Sequence, residues 1–113
     1  MLVSFKKYAA CTVITFKENI QVYNAMKIRN EIVQVITENN LTKIIFNFNE
    51  IQFVDSSGIG LFINLNATYQ DNVKFRFCHL NKDILQVFEF TQINTIFAID
   101  NDLETSVKLI KGQ

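Results

Sequence analysis

The sequence of 113 residues contains no proline, no tryptophan and only three glycines. Without proline the chain has no polyproline segment and no proline-rich linker, so its turns must use Asn, Asp and Gly. The two cysteines, Cys11 and Cys78, are too few for the disulfide framework of a small secreted protein. A hydrophobic core must therefore hold the fold together.

Neither sign of charge is in excess, because 11 Lys and Arg residues balance 11 Asp and Glu residues. A nucleic-acid-binding protein normally carries basic residues in excess to neutralise phosphates, so no nucleic acid is expected as a partner. No apolar run approaches the ~20 residues that cross a bilayer, and the N-terminal residues lack the pattern of a signal peptide. We therefore expect a cytoplasmic protein with no direct membrane insertion.

Hydrophobic residues make up 49% of the sequence, which is enough for one folded domain over residues 1–113. Alternating and β-branched runs predict strands at 2–7, 11–16, 43–48, 73–78 and 95–99. Helical spacing predicts a first helix from Val22 to Glu38 with Val22 in its apolar stripe, and later helices after Gly58, after Asn81 and from Leu103. This order predicts an α/β fold with a mixed, mostly parallel sheet of four to five strands covered by about four helices.

The residue types needed for catalysis or metal binding do not form a recognisable pattern. His79 is the single histidine, and as a strand neighbour of Cys78 it should point to the opposite face of the sheet, so the pair cannot share a metal ion. Neither Ser56 nor Ser57 lies in a Gly-x-Ser-x-Gly elbow, and no phosphate-binding glycine loop is present. We expect neither enzymatic activity nor a cofactor or metal, although the start of the second helix could still bind a small anion or nucleotide.

One segment stands out, the run from Ile51 to Gly60 with the sequence IQFVDSSGIG. Asp55 or Ser56 suits the capping position of a helix, where a side-chain oxygen accepts bonds from free amides. Gly58 and Gly60 then fall in the first turn, where each glycine costs about 0.5–1 kcal/mol relative to alanine. Two glycines flanked by Ile59 and Phe62 suggest that another surface comes close here, so these apolar residues are expected to face a docking partner.

The segment from Ile51 to Gly60 resembles the signature of the STAS domain of bacterial anti-sigma factor antagonists. In that family an apolar strand and loop end in Asp-Ser-Ser-Gly or Asp-Ser-Ala-Gly, followed by an apolar residue and Gly. The predicted order of elements is also similar, over nearly the whole chain. The loop after the second strand departs from the family pattern, since it has no Gly and has Gln21 in place of an acidic residue.

The resemblance implies that Ser56 accepts a phosphate from an anti-sigma factor with GHKL-type serine kinase activity and that a PP2C-type phosphatase removes it. The unphosphorylated chain would bind the kinase, and the chain itself would catalyse nothing. The implied partner-binding residues are Asp55, Ser56, Ser57, Gly58, Ile59, Gly60 and Phe62. The alternative is a constitutive STAS subunit of a transporter or signalling assembly, in which Ser56 only caps a helix.

Overall fold

A computed structural model describes all 113 residues, which form five strands, four α-helices and one short 3-10 turn. The strands are β1 (Val3–Lys7), β2 (Thr12–Phe16), β3 (Lys43–Asn47), β4 (Lys74–Cys78) and β5 (Ala98–Asp100). The helices are α1 (Ala25–Asn39), α2 (Ser56–Tyr69), α3 (Lys82–Phe90) and α4 (Leu103–Ile110). No helix is both long enough and apolar enough to cross a bilayer.

The five strands form one sheet in the order β1-β2-β3-β4-β5. β1 pairs antiparallel with β2, and every other pair is parallel, which confirms the predicted mixed sheet. Because consecutive parallel strands are joined through helices, the starts of β2 to β5 lie along one edge of the sheet and their ends along the other. The β3–α2 connection, and with it Ser56, therefore lies at the edge where the parallel strands end.

The alternation of side chains along the strands divides the core between the two faces of the sheet. The larger core packs α1, α2 and α3 against strand residues such as Phe16 and Phe46, while a smaller one packs α4 against Val13, Ile45 and Cys78. Six fully buried phenylalanines fill the larger core. The ring of Phe62, from α2, lies 5.0 Å from that of Phe77 and 5.7 Å from that of Phe16. Aromatic pairs at such separations add stability beyond the area they bury.

Two boundaries differ from the sequence prediction. α1 begins at Ala25 rather than Val22, because Asn24 forms a turn before it: its Oδ1 accepts from the N–H of Gln21 at 2.9 Å. The side chain of Val22 consequently lies outside the helical stripe and is 78% exposed. The last strand is residues 98–100 rather than 95–99, because Ile93–Thr95 form the 3-10 turn.

Candidate functional site

The segment that begins α2 is held by direct pairing with the β2–α1 loop. Ile20 and Val54 form an isolated parallel bridge, in which the N–H of Ile20 donates to the C=O of Phe53 at 3.1 Å. The N–H of Asp55 donates to the C=O of Ile20 at 3.0 Å. Since both Ile20 and Val54 are buried, this pairing fixes the position of the Asp-Ser-Ser-Gly sequence relative to the sheet.

Asn19 reinforces the same pairing through its side chain. Its Oδ1 accepts from the backbone N–H groups of Gln52 at 2.9 Å and Phe53 at 3.2 Å. Sequence reasoning missed this residue, because a single Asn in a loop has no distinguishing spacing. The only available signal was its side-chain chemistry, which lets Asn satisfy backbone amides in loops.

Of the two predicted capping residues, Asp55 caps α2 and Ser56 does not, so the alternative in which Ser56 is itself the cap is wrong. Asp55 also contacts the turn before α1. Its Oδ1 accepts from the N–H of Ser57 at 2.8 Å, and its Oδ2 accepts from the N–H of Val22 at 3.1 Å. One carboxylate therefore joins the starts of both helices. Its negative charge at the N-terminus of α2 interacts favourably with the helix dipole.

Ser56 is the first residue of α2, and its side chain is exposed. Neither its hydroxyl nor its backbone N–H forms a hydrogen bond within the chain, whereas Ser57 is half-buried and gives its N–H to Asp55. A phosphate on the Ser56 hydroxyl would lie at the positive end of the helix dipole, where free amides favour anions. Of the two serines, Ser56 thus has the more accessible hydroxyl.

Three of the predicted partner-binding residues lie in the core instead of on the surface. Gly58 and Ile59 are buried, and Phe62 is completely inaccessible to solvent. The prediction that Ile59 and Phe62 face a docking partner is wrong for the folded chain, because these side chains form the stripe by which α2 packs on the sheet. Gly58 is close to another surface, as expected, but that surface is the protein's own Ile20 and Val54.

The two glycines of the first turn therefore have different roles. A Cβ at Gly58 would lie 2.4 Å from Cγ1 of Val54 and 2.9 Å from Cγ2 of Ile20, distances at which backbone or side chains must shift. A Cβ at Gly60 would meet no atom within 4 Å. Gly60 is exposed one turn after Ser56, so the helix backbone beside the serine hydroxyl is not covered by a side chain there.

Substitution of each glycine by alanine should change stability in opposite directions. We expect Gly58→Ala to lower the free energy of unfolding by about 2 kcal/mol, because overpacking outweighs the gain in helix propensity. Gly60→Ala should raise it by about 0.5–1 kcal/mol, since alanine favours the helix and meets no obstacle. Urea unfolding of both variants measures the difference, and equal effects would contradict the assigned roles.

An exposed apolar surface lies beside Gly60, between α1 and α2. It forms a depression of about 380 Å³ lined by Val22, Ala25, Met26, Arg29, Ser57, Gly60, Leu61 and Asn64. Val22, Met26 and the neighbouring Tyr23 are each more than half exposed. We call these three residues together with Gly60 the α1–α2 rim. Sequence reasoning assigned Val22 to the apolar stripe of a longer helix, so it did not predict the rim.

Cys78 is buried at the end of β4 and His79 follows the strand, but the expectation that the two point to opposite faces of the sheet is wrong. His79 lies outside the strand, so the alternation of side chains ends before it, and both residues contact α4. Cys78 is buried, and desolvation raises the pKa of its thiol to about 12, so the thiol stays protonated at neutral pH and is a poor nucleophile. His79 has a positive φ of 58° at the end of β4, and its Nε2 accepts from the N–H of Leu103 at 3.2 Å. The imidazole thereby satisfies a free amide at the start of α4.

Comparison with solved structures finds close matches to the whole fold at low sequence identity. An anti-sigma factor antagonist from Mycobacterium paratuberculosis matches with a TM-score of 0.88 at 11% identity, over 96% of this chain and 92% of the other. The Bacillus anti-sigma factor antagonist SpoIIAA, in its unphosphorylated form, matches with a TM-score of 0.79 at 20% identity, over 98% of this chain and 97% of the other. Identities this low establish the fold alone.

A third match belongs to a different class of protein. The murine anion transporter Slc26a9 matches with a TM-score of 0.79 at 14% identity, over 96% of this chain but only 19% of the transporter. Independently of these structures, a sequence profile of the STAS domain matches residues 3–106 of the chain. The profile covers every strand, the Ser56 segment and the first half of α4. The chain therefore belongs to the STAS domain family.

Proposed function

We propose that the chain is an anti-sigma factor antagonist whose binding to a partner is switched by phosphorylation of Ser56. The observation that carries the proposal is the exposed, unbonded hydroxyl of Ser56 at the start of α2, next to the α1–α2 rim. The bonds of Asp55 and the paired loops hold the backbone around Ser56 in place, so a kinase would meet this serine at a fixed point of the surface.

The partner would dock on the α1–α2 rim and over Ser56. Val22, Tyr23 and Met26 are large exposed apolar side chains, and clustered exposed residues of this kind commonly mark interaction sites. Gly60 lets another chain approach the helix backbone closely, since no side chain covers it. These residues replace Ile59 and Phe62 as the proposed apolar contacts, while Asp55, Ser56 and Ser57 remain in the proposed interface.

Phosphorylation would weaken this interface through charge. A phosphate adds about −1.5 to −2 charges at neutral pH, directly beside the carboxylate of Asp55. The fold tolerates the group because of the free amides at the helix start, but a partner packed on the rim would have to desolvate it. The unmodified chain would therefore bind, and the phosphorylated chain would be released.

The proposed partners are an anti-sigma factor that is also a GHKL-type serine kinase and a PP2C-type phosphatase that resets the switch. The support is the similarity in fold to anti-sigma factor antagonists, among them SpoIIAA, which has been solved in both unphosphorylated and phosphorylated forms. In this scheme the chain is a cytoplasmic bacterial regulator and a substrate of both enzymes. It performs no catalysis itself.

A second candidate function is a constitutive subunit of a larger assembly. The similarity in fold to part of the transporter Slc26a9 favours it, because there the same fold is a fraction of a membrane protein. Asp55 already caps α2 without help from the Ser56 hydroxyl, so in this scheme Ser56 would need no modification. Its partner would remain bound whatever the charge at residue 56.

A pull-down from lysate of the source organism separates the two candidates. The baits are the wild type, Ser56→Ala and Ser56→Glu, and bound proteins are identified by mass spectrometry. The switch predicts an ATP-binding kinase that is retained by the first two baits and lost by Ser56→Glu. The same partner on all three baits would contradict the switch and support the constitutive subunit.

A further inference from the structure

Six of the eleven cationic residues lie at the edge of the sheet opposite Ser56. Lys6 and Lys7 end β1, Lys43 and Lys74 begin β3 and β4, and Lys108 and Lys111 lie at the end of α4. We call these six residues the lysine edge. They come from four elements that are far apart in sequence. β1 runs antiparallel to β2, so it ends at the edge where the parallel strands begin, and α4 returns to the same edge after β5.

Individual contacts link these lysines in sequence along the edge, with Lys43 in the middle and Lys74 in a separate depression beside β5. Nζ of Lys43 donates to the C=O of Lys111 at 3.2 Å, and Lys43 and Lys74 are directly opposite each other in the register of β3 and β4. Nζ of Lys6 lies 5.6 Å from the ring centre of Tyr8. Lys7 shares one surface depression with Lys43, and Tyr8 shares another with Lys108 and Lys111.

The charge of the lysine edge is not neutralised within the chain. The two salt bridges of the protein are Lys17–Glu50 and Arg76–Asp100, and neither involves a lysine of this edge. Glu104 of α4 lines a depression together with Lys108 and Lys111, but it forms no salt bridge with them. A net charge of zero for the whole chain thus conceals a locally basic surface.

Ordinary structural roles explain only part of this arrangement. Lys108 and Lys111 interact favourably with the negative end of α4, and lysines on β1 protect an edge strand from pairing with other chains. Lys43 also has a structural role, because its Nζ donates to the C=O of Lys111 just after α4. None of these roles applies to Lys74, which begins an inner strand. Lys43 and Lys74 are opposite each other in the parallel pairing of β3 and β4, so a bound anion would reduce the repulsion between their like charges.

A groove runs along the lysine edge on the face of the sheet that carries α4. It has a volume of about 640 Å³ and is lined by Tyr8, Leu103, Glu104, Val107, Lys108 and Lys111. The walls thus combine apolar side chains with two lysines and one carboxylate, that of Glu104, so the charged side chains of the lining carry a net charge of +1. A groove of this composition suits an extended peptide segment that carries both apolar and negatively charged residues. It suits a flat anionic surface less well as a ligand.

We propose that the groove and the lysine edge bind an acidic, extended polypeptide segment of a partner protein. The carboxylates of the segment would lie against the lysines, and its apolar side chains would pack on Val107 and Leu103. The site is distinct from Ser56, because a strand of five residues separates the two edges by about 15 Å. The chain could therefore bind a second protein whether or not a partner is bound at Ser56.

Fluorescence anisotropy with a labelled probe peptide tests this proposal. The probe is a short peptide of Glu residues interrupted by Leu, titrated with wild-type protein at low salt. Lys74→Gln/Lys108→Gln is the test variant, since both side chains are exposed and form no hydrogen bond within the chain. Its matched control is Lys27→Gln/Lys82→Gln, which removes the same charge from exposed lysines elsewhere.

We expect saturable binding of the peptide that weakens as salt screens the charges. The test variant should bind about five- to tenfold more weakly than wild type, and the control less than about twofold. Equal losses of peptide affinity in the test variant and the control variant would overturn the proposal. Failure of the wild type to bind the peptide would overturn it too. Tighter binding to phosphatidylserine vesicles or to a single-stranded oligonucleotide than to the peptide would overturn it as well. None of these results depends on Ser56, so they leave the proposed switch to be judged separately.

Discussion

Ser56→Glu is expected to lower the affinity of the chain for its kinase partner by about 100-fold, while Ser56→Ala keeps the affinity of the wild type. The loss corresponds to about 3 kcal/mol, the order expected when a charge is introduced into an interface that does not neutralise it. The physical cause is the position of residue 56, between the carboxylate of Asp55 and the apolar α1–α2 rim. Titration of the purified partner with each variant measures the effect.

Thr68→Glu is the matched control for this prediction. Thr68 is another exposed hydroxyl residue of α2, three turns further along the helix and away from the rim. The same change of charge there should leave the affinity within about twofold of the wild type, since an exposed charge far from an interface is screened. Equal affinity losses for Thr68→Glu and Ser56→Glu would mean that net charge, rather than the site, controls binding.

Asp100→Ala is expected to destabilise the fold by about 3 kcal/mol. Arg76 donates to both carboxylate oxygens of Asp100, at 2.7 and 2.8 Å, and the buried Ser106 hydroxyl donates to Oδ2 at 2.5 Å. The side chains of Arg76 and Asp100 are only 14% and 6% exposed, respectively. Removal of the carboxylate would therefore leave a largely buried guanidinium without a counter-charge and a buried hydroxyl without an acceptor. Urea unfolding at neutral pH measures the loss.

The exposed pair of Lys17 and Glu50 provides the control, because its side chains are 40% and 46% exposed. Glu50→Ala should change stability by less than about 1 kcal/mol. A loss as large as that of Asp100→Ala would show that burial does not determine the strength of these pairs. A loss below about 1 kcal/mol for Asp100→Ala would show that Arg76 finds sufficient solvation without its partner.

The contribution of Asp100 should also depend on pH in a defined direction. Hydrogen bonds from Arg76 hold the pKa of Asp100 below its ordinary value, with a further contribution from Ser106 and with desolvation opposing them. Because the pKa of Asp100 is lower in the folded state, the ionised carboxylate stabilises the fold fully at pH values above its unfolded-state pKa of about 4. This stabilisation is lost as the pH falls through the folded-state pKa. The difference in stability between wild type and Asp100→Ala should therefore narrow only below about pH 4. A difference that narrows between pH 5 and 8 would contradict this assignment.

Periodicity in the sequence predicts the order of the elements because the helices have a one-sided apolar pattern, while β2 and β3 are short, largely apolar runs buried on both faces. Side-chain chemistry likewise predicts caps: Asp55, Asn81 and Asp102 each accept from an amide of the first turn, and Asn40 takes the left-handed conformation after α1. These features depend on neighbouring residues alone. Local sequence is therefore sufficient to define them.

The surface of the candidate site could not be predicted in the same way. Ile59 and Phe62 have the residue types of a docking surface and of a core alike, and only the packing of α2 on the sheet decides that they are buried. Val22 shows the reverse, since the turn made by Asn24 removes an apolar residue from the helical stripe. The lysine edge is invisible in sequence because strand topology, rather than spacing, assembles it.

The identity of the phosphorylated residue tests the central claim most directly. The purified chain is incubated with ATP and the kinase captured by the wild-type bait, and the modified residue is located by peptide mass spectrometry. The account predicts a single phosphate on Ser56, with none on the Ser56→Ala variant and none on Ser57. A phosphate on any other residue, or an unmodified chain with a demonstrably active kinase, would contradict it.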